Sequence, residues 1–526
     1  MGVNEIKWIA LSLFVFMFFS VKMSGVYQQC SYRLGEFFSA IFCGTRAEIS
    51  KLSTYSLIFL AVLVILCPFL EMEGALGDLI SLNLCIPFCG LYFFSSKSVK
   101  GVNFTKRFIR LYVTSALIIG ALCFLFALLI DSLCLGAECM LIYIGIIPLA
   151  LILVIPLGGI VNYPLDKIIY VFYKARCRLR LRKNPDLTVI GITGSMGKTS
   201  VKNYLYKMLS QKYRVLVTPH SYNTPMGVCM SVKKDIKNYE IFIVEMGARR
   251  KNDIKELCKM VRPSIGIITG ITNQHGKTLN GIEGIKNAKY QLIEGLCGQK
   301  LAFFSSDSEG AEELYLKAQC EKHLVGINGK RIYAREILQG EDGISFTIYF
   351  GGKEYKTCAP MIGEHTVTNI CIASAVAFRL GVGVGKILSV IPTLTPPPHR
   401  ASVIKASSGL TVIDDGYNAN LEGVRSTANA IKSFSGYKIA VTAGIVELGK
   451  SAEEVNKEVG RVLAEVFDEV VCVGINARFI ESGVNEFDKR STVVGSRAEA
   501  QAVLEGKRLS SGVVAFFNDL PDKYQI

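Results

Sequence analysis

Histidine is scarce in this chain, five residues among 526, and none of the 16 cysteines forms a CxxC pair. No Cys/His set therefore has zinc-site spacing, and the cysteines read as free, buried thiols of a reducing compartment. Charge is also sparse before about residue 161, where the hydrophobic excess of the composition is concentrated. No small-residue cleavage site follows the first apolar stretch, which argues against a removed signal peptide. The net charge of +15 would suit an anionic partner, but nothing in its pattern points to nucleic acid.

What the front of the chain does contain is five apolar stretches, at 6–23, 55–70, 79–94, 111–130 and 141–161. A bilayer crossing takes about 20 residues, and the second and third are short for it. Loop charge alternates. Lys22, Arg33, Arg46 and Lys51 follow the first stretch, and Lys97, Lys100, Lys106, Arg107 and Arg110 follow the third. The loops after the second and fourth hold Glu71, Glu73, Asp78, Asp131 and Glu138 and no Lys or Arg. The positive-inside rule then predicts a five-span α-helical membrane domain over 1–165, N-terminus outside, with the remainder in the cytoplasm. Cys134 and Cys139 would share an outer loop, where nothing further supports a disulfide. Basic residues from Lys174 to Lys183 mark 166–185 as a juxtamembrane linker on the cytoplasmic face.

From residue 186 the texture is α/β. Short apolar runs at 187–192, 241–245, 265–269 and 301–304 read as buried strands of a parallel sheet, separated by helical stretches such as 201–209 and 253–260. A Gly-rich alternating stretch at 332–355 predicts a small antiparallel insert. The Pro-rich run 392–398 reads as a hinge between a central domain, 186–395, and a smaller Rossmann-like domain, 396–526. The second has strand-like runs at 410–413, 439–443, 470–473 and 513–516.

The strongest local signal is Gly-Ile-Thr-Gly-Ser-Met-Gly-Lys-Thr-Ser at 191–200, between a strand and a helix. Backbone N–H groups from Gly194 to Ser200, through Ser195, Met196 and Gly197, can cradle phosphate oxygens, with Lys198 neutralising them and Thr199 ligating magnesium. The usual spacing asks for a glycine where Ile192 stands. Glu245 ends a hydrophobic strand, where a carboxylate can hold a hard cation that bridges phosphates.

This loop resembles that of the Mur ligase family, ATP-dependent amide-forming enzymes of peptidoglycan precursor synthesis, and within it the D-alanyl-D-alanine-adding branch. Further stretches carry the resemblance in order: Ser-Tyr-Asn-Thr-Pro-Met-Gly at 221–227, Glu-Met-Gly at 245–247, the run 269–275, Ala288-Lys289, and Gly-Glu-His-Thr-Val-Thr-Asn at 363–369. Past the hinge come His399-Arg400, Asp-Asp-Gly-Tyr-Asn-Ala-Asn at 414–420, and Ala-Gly-Ile-Val-Glu-Leu-Gly at 443–449. The resemblance implies a second magnesium ligand at His275 and a carbamylated lysine at Lys289, offering oxygen to magnesium. It implies adenine reading by Asn369, ribose contact by Asp415, γ-phosphate contact by Arg400 on domain closure, and a substrate role for Asn223. Departures fall at Ser305, Thr366 and Leu421, and near the end, where Phe-Asn-Asp-Leu-Pro-Asp-Lys-Tyr at 517–524 replaces a Lys-Gly-Ser element. The family's uridine-nucleotide-binding N-terminal domain is replaced by the apolar region.

The resemblance thus implies a ligase of the bacterial inner membrane with ATP and two magnesium ions as cofactors. It would join D-alanyl-D-alanine, or a related amine, to a muramyl-peptide carboxylate through an acyl-phosphate, in contact with the lipid bilayer and with other cell-wall enzymes. No covalent enzyme nucleophile is needed, so the absence of a Ser-His-Asp or Cys-His set is no objection. Two alternatives stay open: a lipid-linked acceptor, and a membrane scaffold with a vestigial ligase domain.

Overall fold

The computed structural model describes residues 3–39, 41, 102–133, 138–219, 222–232, 236–248, 250–272, 281–405, 409–416, 420–446, 448, 451–507 and 511–518. The chain divides into two units between residues 169 and 170.

The described part of the first unit is helical, with helices Val3–Gln29, Leu34–Ser39 and Lys106–Ser132 and the start of Glu138–Leu181. Phe16, Phe19, Phe37, Leu111, Leu151 and Ile155 pack together in its core, while Leu117, Leu125 and Leu153 are exposed. Helices apolar on both inner and outer faces suit an apolar surrounding. Among the described residues two helices are long and apolar enough to cross a membrane, Lys106–Ile130 and Ile146–Leu181. The first contains the expected fourth stretch, and the second overlaps the expected fifth from residue 146 to 161. In the helix holding the first, the apolar part is Ser12–Val21, short of a crossing. The second and third expected stretches lie outside the described residues. Arg107 and Arg110 both pair with Asp166, at 2.6 and 2.5 Å.

The expected linker 166–185 is instead largely helix, continuing to Leu181 despite Pro148, Pro156 and Pro164. Its last turns belong to the second unit. There Tyr170 and Lys174 bond Glu256, Arg180 donates to the carbonyl of Val232 at 2.7 Å, and Cys177 is buried. The basic cluster therefore serves partly as packing and anchoring, with its long stems lying on the domain surface.

The second unit is built on two sheets. The first contains β1 (Thr188–Thr193), β2 (Val215–Val217), β3 (Ile241–Glu245), β4 (Ile265–Ile268), β5 (Leu301–Ser305) and β6 (Glu321–Val325). They are all parallel, in the order β2-β3-β1-β4-β5-β6. Strand side chains alternate between faces, and here both faces are covered. Ile241 and Ile243 enter one core and Phe242 and Val244 the other, which is why β3 reads as an unbroken apolar run.

The antiparallel insert, β7 (Ile332–Gly340), β8 (Gly343–Phe350) and β9 (Lys353–Ala359), runs slightly beyond its expected end. Its inward residues, among them Phe346 and Ile348, join the core formed with the helix Glu364–Arg379.

The second sheet has β10 (Ser402–Lys405), β11 (Leu410–Asp415), β12 (Lys438–Thr442), β13 (Glu469–Val473), β14 (Arg490–Val494) and β15 (Gly512–Phe517), ordered β10-β11-β15-β12-β13-β14. All its pairings are parallel except β10 with β11. The described cysteines are free, as expected, although Cys358 is exposed.

Candidate active site

The turn after β1 is shaped by close approach. A Cβ at Gly194 would stand 1.9 Å from Oγ1 of Thr269, and one at Gly197 would stand 2.5 Å from Oδ1 of Asn369. Gly197 also has φ 80°, the left-handed region that glycine adopts without strain. It opens the helix Lys198–Leu209, which starts three residues earlier than the apolar pattern suggested. The N–H groups of Ser195 and Met196 donate to the carbonyl of Gly270, at 2.7 and 3.3 Å. That leaves the later donors of the turn, at the helix N-terminus, where the helix dipole favours an anion. Ser195 Oγ donates to the carbonyl of Thr272 at 3.1 Å, tying the turn to the segment after β4.

Lys198 donates to the carbonyls of Gly194 and Ser195 at 2.6 and 3.0 Å. Burial pushes its pKa down to about 8; the Glu245 carboxylate opposes this and the Arg400 guanidinium adds to it. Register sets Ile192 of β1 beside Glu245 at the end of β3. The buried Glu245 carboxylate accepts from Thr199 Oγ1 at 3.2 Å and from Asn223 Nδ2 at 3.5 Å. Asn223 is placed by its neighbour: Thr224 caps the helix Pro225–Ser231, accepting from Gly227 N, with Pro225 in the first turn.

Lys202 was missed by the sequence reading. It is buried and pairs with Glu245 at 3.0 Å. Its signal was available, because a lysine four residues after Lys198 lies on the same helix face. Lys289, on the helix Gly281–Glu294, is buried as well. Burial first, then the nearby Lys198 charge, holds its amine well below the ordinary lysine range.

The C-terminal domain reaches this site through Arg400, whose charge is felt by Lys198, Tyr204 and His365. Three contacts hold the domain there. His365 Nδ1 lies 2.8 Å from Ser426 Oγ, Glu341 accepts from the N–H and hydroxyl of Ser435, both at 2.8 Å, and Lys405 pairs with Asp342 at 2.6 Å.

Burial, with Arg400 in support, pushes the His365 pKa down from 6.5 to about 4. The unfolded chain takes up a proton that the folded one refuses. Stability is therefore complete above the unfolded value and declines as pH falls toward 4, by about 3 kcal/mol at most. Urea midpoints between pH 7 and 4.5 should show this decline, and His365→Gln should flatten it.

The sequence-assigned residues do not all converge. Lys198, Thr199, Glu245, Asn223, Lys289 and Arg400 do, and Asn369 abuts the turn at Gly197. His275 lies outside the described residues. Asp415, expected to face a ribose, is turned inward: its Oδ1 accepts from Ala401 N at 3.0 Å and its Oδ2 from Thr427 Oγ1 at 2.8 Å. Alternation along β11 leaves Asp414 the more accessible, bonded to His399 Nδ1 at 2.7 Å.

The description Mur ligase middle domain matches residues 192–377, and Mur ligase, glutamate ligase domain matches 399–515. The chain belongs to the Mur ligase family. The UDP-N-acetylmuramoyl-tripeptide--D-alanyl-D-alanine ligase of Bacillus subtilis (strain 168) is 31% identical over 306 residues, 57% of this chain and 66% of the relative. That of Escherichia coli (strain K12) is 24% identical over 323 residues, 60% and 72% respectively. Among solved structures, MurF from Acinetobacter baumannii superposes with TM-score 0.61 at 26% identity, covering 66% of this chain and 77% of that one. The MurF ligase from Thermotoga maritima in complex with ADP gives TM-score 0.61 at 25% identity, covering 67% and 81%. The chain spans about two thirds of the B. subtilis relative (66%), and the matched Mur ligase models begin at residue 192. The N-terminal helical region is a different domain.

Proposed function

We propose that this Mur ligase family member is an ATP-dependent ligase that joins D-alanyl-D-alanine, or a closely related amine, to the terminal carboxylate of a muramyl-peptide. The observation that carries this reading is the convergence of Lys198, Thr199, Glu245, Lys289 and Arg400 on one glycine-shaped turn at the carboxyl end of β1.

The chemistry follows from what these groups offer. The acceptor carboxylate attacks the γ-phosphate, ADP departs, and the amine then displaces phosphate from the acyl-phosphate. Lys198 and Arg400 offset the charge that spreads over the transferring oxygens. The Thr199 hydroxyl and Glu245 carboxylate, 3.2 Å apart at a helix N-terminus, are a hard-oxygen pair suited to magnesium. A carbamate on Lys289 and the imidazole of His275 would complete two such sites. When bound, magnesium polarises the phosphoryl group. Burial and the nearby Lys198 charge favour the uncharged form of the Lys289 amine, the form that adds carbon dioxide. Asn369, whose Oδ1 abuts the turn at Gly197, would read the nucleotide, and the C-terminal domain, delivering Arg400, would keep water from the acyl-phosphate.

We further infer an inner-membrane anchor, the ligase unit lying in the cytoplasm. The two long apolar helices and the exposed Leu117, Leu125 and Leu153 favour it. Purified full-length protein is expected to release ADP only when UDP-linked muramyl-tripeptide and D-alanyl-D-alanine are both supplied. Release with a lipid-linked tripeptide alone would move the acceptor to the membrane. No release with any acceptor in a panel would overturn the ligase reading.

A further inference from the structure

Three helices of the first unit meet at the end that loop charge assigns to the cytoplasmic side. Gln28, closing the helix Val3–Gln29, exchanges two hydrogen bonds with Asn103, just ahead of the helix Lys106–Ser132. Its Nε2 donates to the Asn103 carbonyl at 2.7 Å, and its Oε1 accepts from the Asn103 N–H at 3.1 Å. Asp166, within the helix Glu138–Leu181, holds the start of Lys106–Ser132 through Arg107 and Arg110. Across residues 27–39, 102–110 and 162–169, Arg33, Lys106, Arg107, Arg110 and Lys167 are basic, and only Glu36 and Asp166 are acidic. Glu36 is taken by Arg33 at 2.7 Å. The positive excess therefore centres on Arg107 and Arg110.

These two arginines stand three residues apart, on one face of their helix. Asp166 gives each a single oxygen: Oδ2 accepts from Arg107 Nε and Oδ1 from Arg110 Nη2. Neither guanidinium is met by both oxygens of one group, the geometry in which arginine holds carboxylate or phosphate best. Arg110 Nε is buried and has no hydrogen-bond partner among the described residues. A donor withdrawn from water without an acceptor is costly, and calls for a ligand or a function. The Arg107 guanidinium lies over the Tyr32 ring, 4.1 Å from its centroid, a cation–π contact that helps fix its position. One carboxylate thus serves two positioned cations, and one more negative charge would be accommodated there.

The neighbouring surface is apolar. Ile109, Val113 and Leu117 on the arginine helix, and Leu165 and Ile168 beside Asp166, are exposed. A free phosphate would leave these side chains uncovered, whereas acyl chains would cover them. The ammonium of a zwitterionic headgroup would face two guanidinium groups, so the excess charge favours a lipid that is negative overall.

We infer that Arg107 and Arg110 form a binding site for the phosphate of an anionic glycerophospholipid of the cytoplasmic leaflet, with Asp166 as the internal counter-charge that keeps both arginines in place. This rests on the membrane anchor inferred above.

Full-length protein in mild detergent, titrated with phosphatidylglycerol or phosphatidylcholine and read by native mass spectrometry, tests it. Wild-type protein is expected to bind phosphatidylglycerol with an apparent Kd about tenfold or more below that for phosphatidylcholine. The double variant Arg107→Gln/Arg110→Gln should lose that preference. Asp166→Asn works in the opposite direction: it removes the competing carboxylate and should tighten phosphatidylglycerol binding about threefold or more. Equal affinity for the two lipids in the wild type overturns the inference, as does a preference that survives in the double variant. So does an Asp166→Asn protein that melts lower yet binds phosphatidylglycerol no tighter, because the arginines would then serve only the ion pair. Inorganic phosphate that displaces phosphatidylglycerol at equal concentration would make this a free-anion site and overturn the lipid. Flotation separates the failure of the anchor: wild-type protein that floats with vesicles of neither lipid has no anchor, and the site falls with it.

Discussion

Lys289→Ala is expected to cut ADP release by about 100-fold or more while leaving nucleotide binding measurable, the scale seen when one preorganised electrostatic group is removed. The side chain is buried on the helix Gly281–Glu294, and its amine is kept far from its ordinary basicity by burial and by Lys198. An ammonium there would oppose a cation at Glu245; a carbamate would assist one. Formation of that carbamate consumes carbon dioxide and releases a proton, so wild-type activity should fall in carefully degassed buffer and return with bicarbonate. The alanine variant should ignore bicarbonate. A wild-type rate indifferent to bicarbonate, or an alanine variant with near-normal turnover, would remove Lys289 from the chemistry.

The second large effect concerns stability. Lys202→Met should lower the unfolding free energy of the ligase unit by about 3–5 kcal/mol, because it strands a carboxylate in the interior. Glu245 and Lys202 are both about 1% exposed, and the remaining contacts of Glu245, from Thr199 and Asn223, come from uncharged donors. Methionine fills nearly the same space, so the loss reports charge rather than a cavity. Adding Glu245→Gln to Lys202→Met should recover most of the loss, since the stranded charge goes with it. Urea unfolding of the four proteins in the cycle decides the matter. A double variant no more stable than Lys202→Met would show that the pair is not the cause.

Much of this architecture could be read from residue order. Runs such as 241–245 and 301–305 are covered on both faces, so four consecutive apolar residues, before Glu245 in one and Ser305 in the other, announce them. The strands that escaped notice were of another kind. β2 has three residues, and β6, β10 and β14 carry exposed side chains because each borders its sheet and has only one neighbour. The same limit applies to the site. The turn at 191–200 and Glu245 stand out by composition, whereas the four-residue spacing of Lys202 from Lys198 gives its helix face and only the packing of that helix on β3 gives its partner. Which of two adjacent aspartates, Asp414 or Asp415, turns outward depends on the pleat of β11, and two identical letters in sequence cannot show it. The basic stretch before the ligase unit looked like a linker because alternating arginines fit a solvated segment as well as a packed helix.

The placement of β15 has a consequence for how the protein is made. It fills the slot between β11 and β12, though some 70 residues separate it from β12. A nascent chain that has emerged through β14 still has a gap at the middle of this domain, and β11 and β12 have no shared border to close it. The sheet can be zipped up only after residue 517 has left the ribosome, so a premature stop before Gly512 should yield not a trimmed domain but an open one, ready for proteolysis.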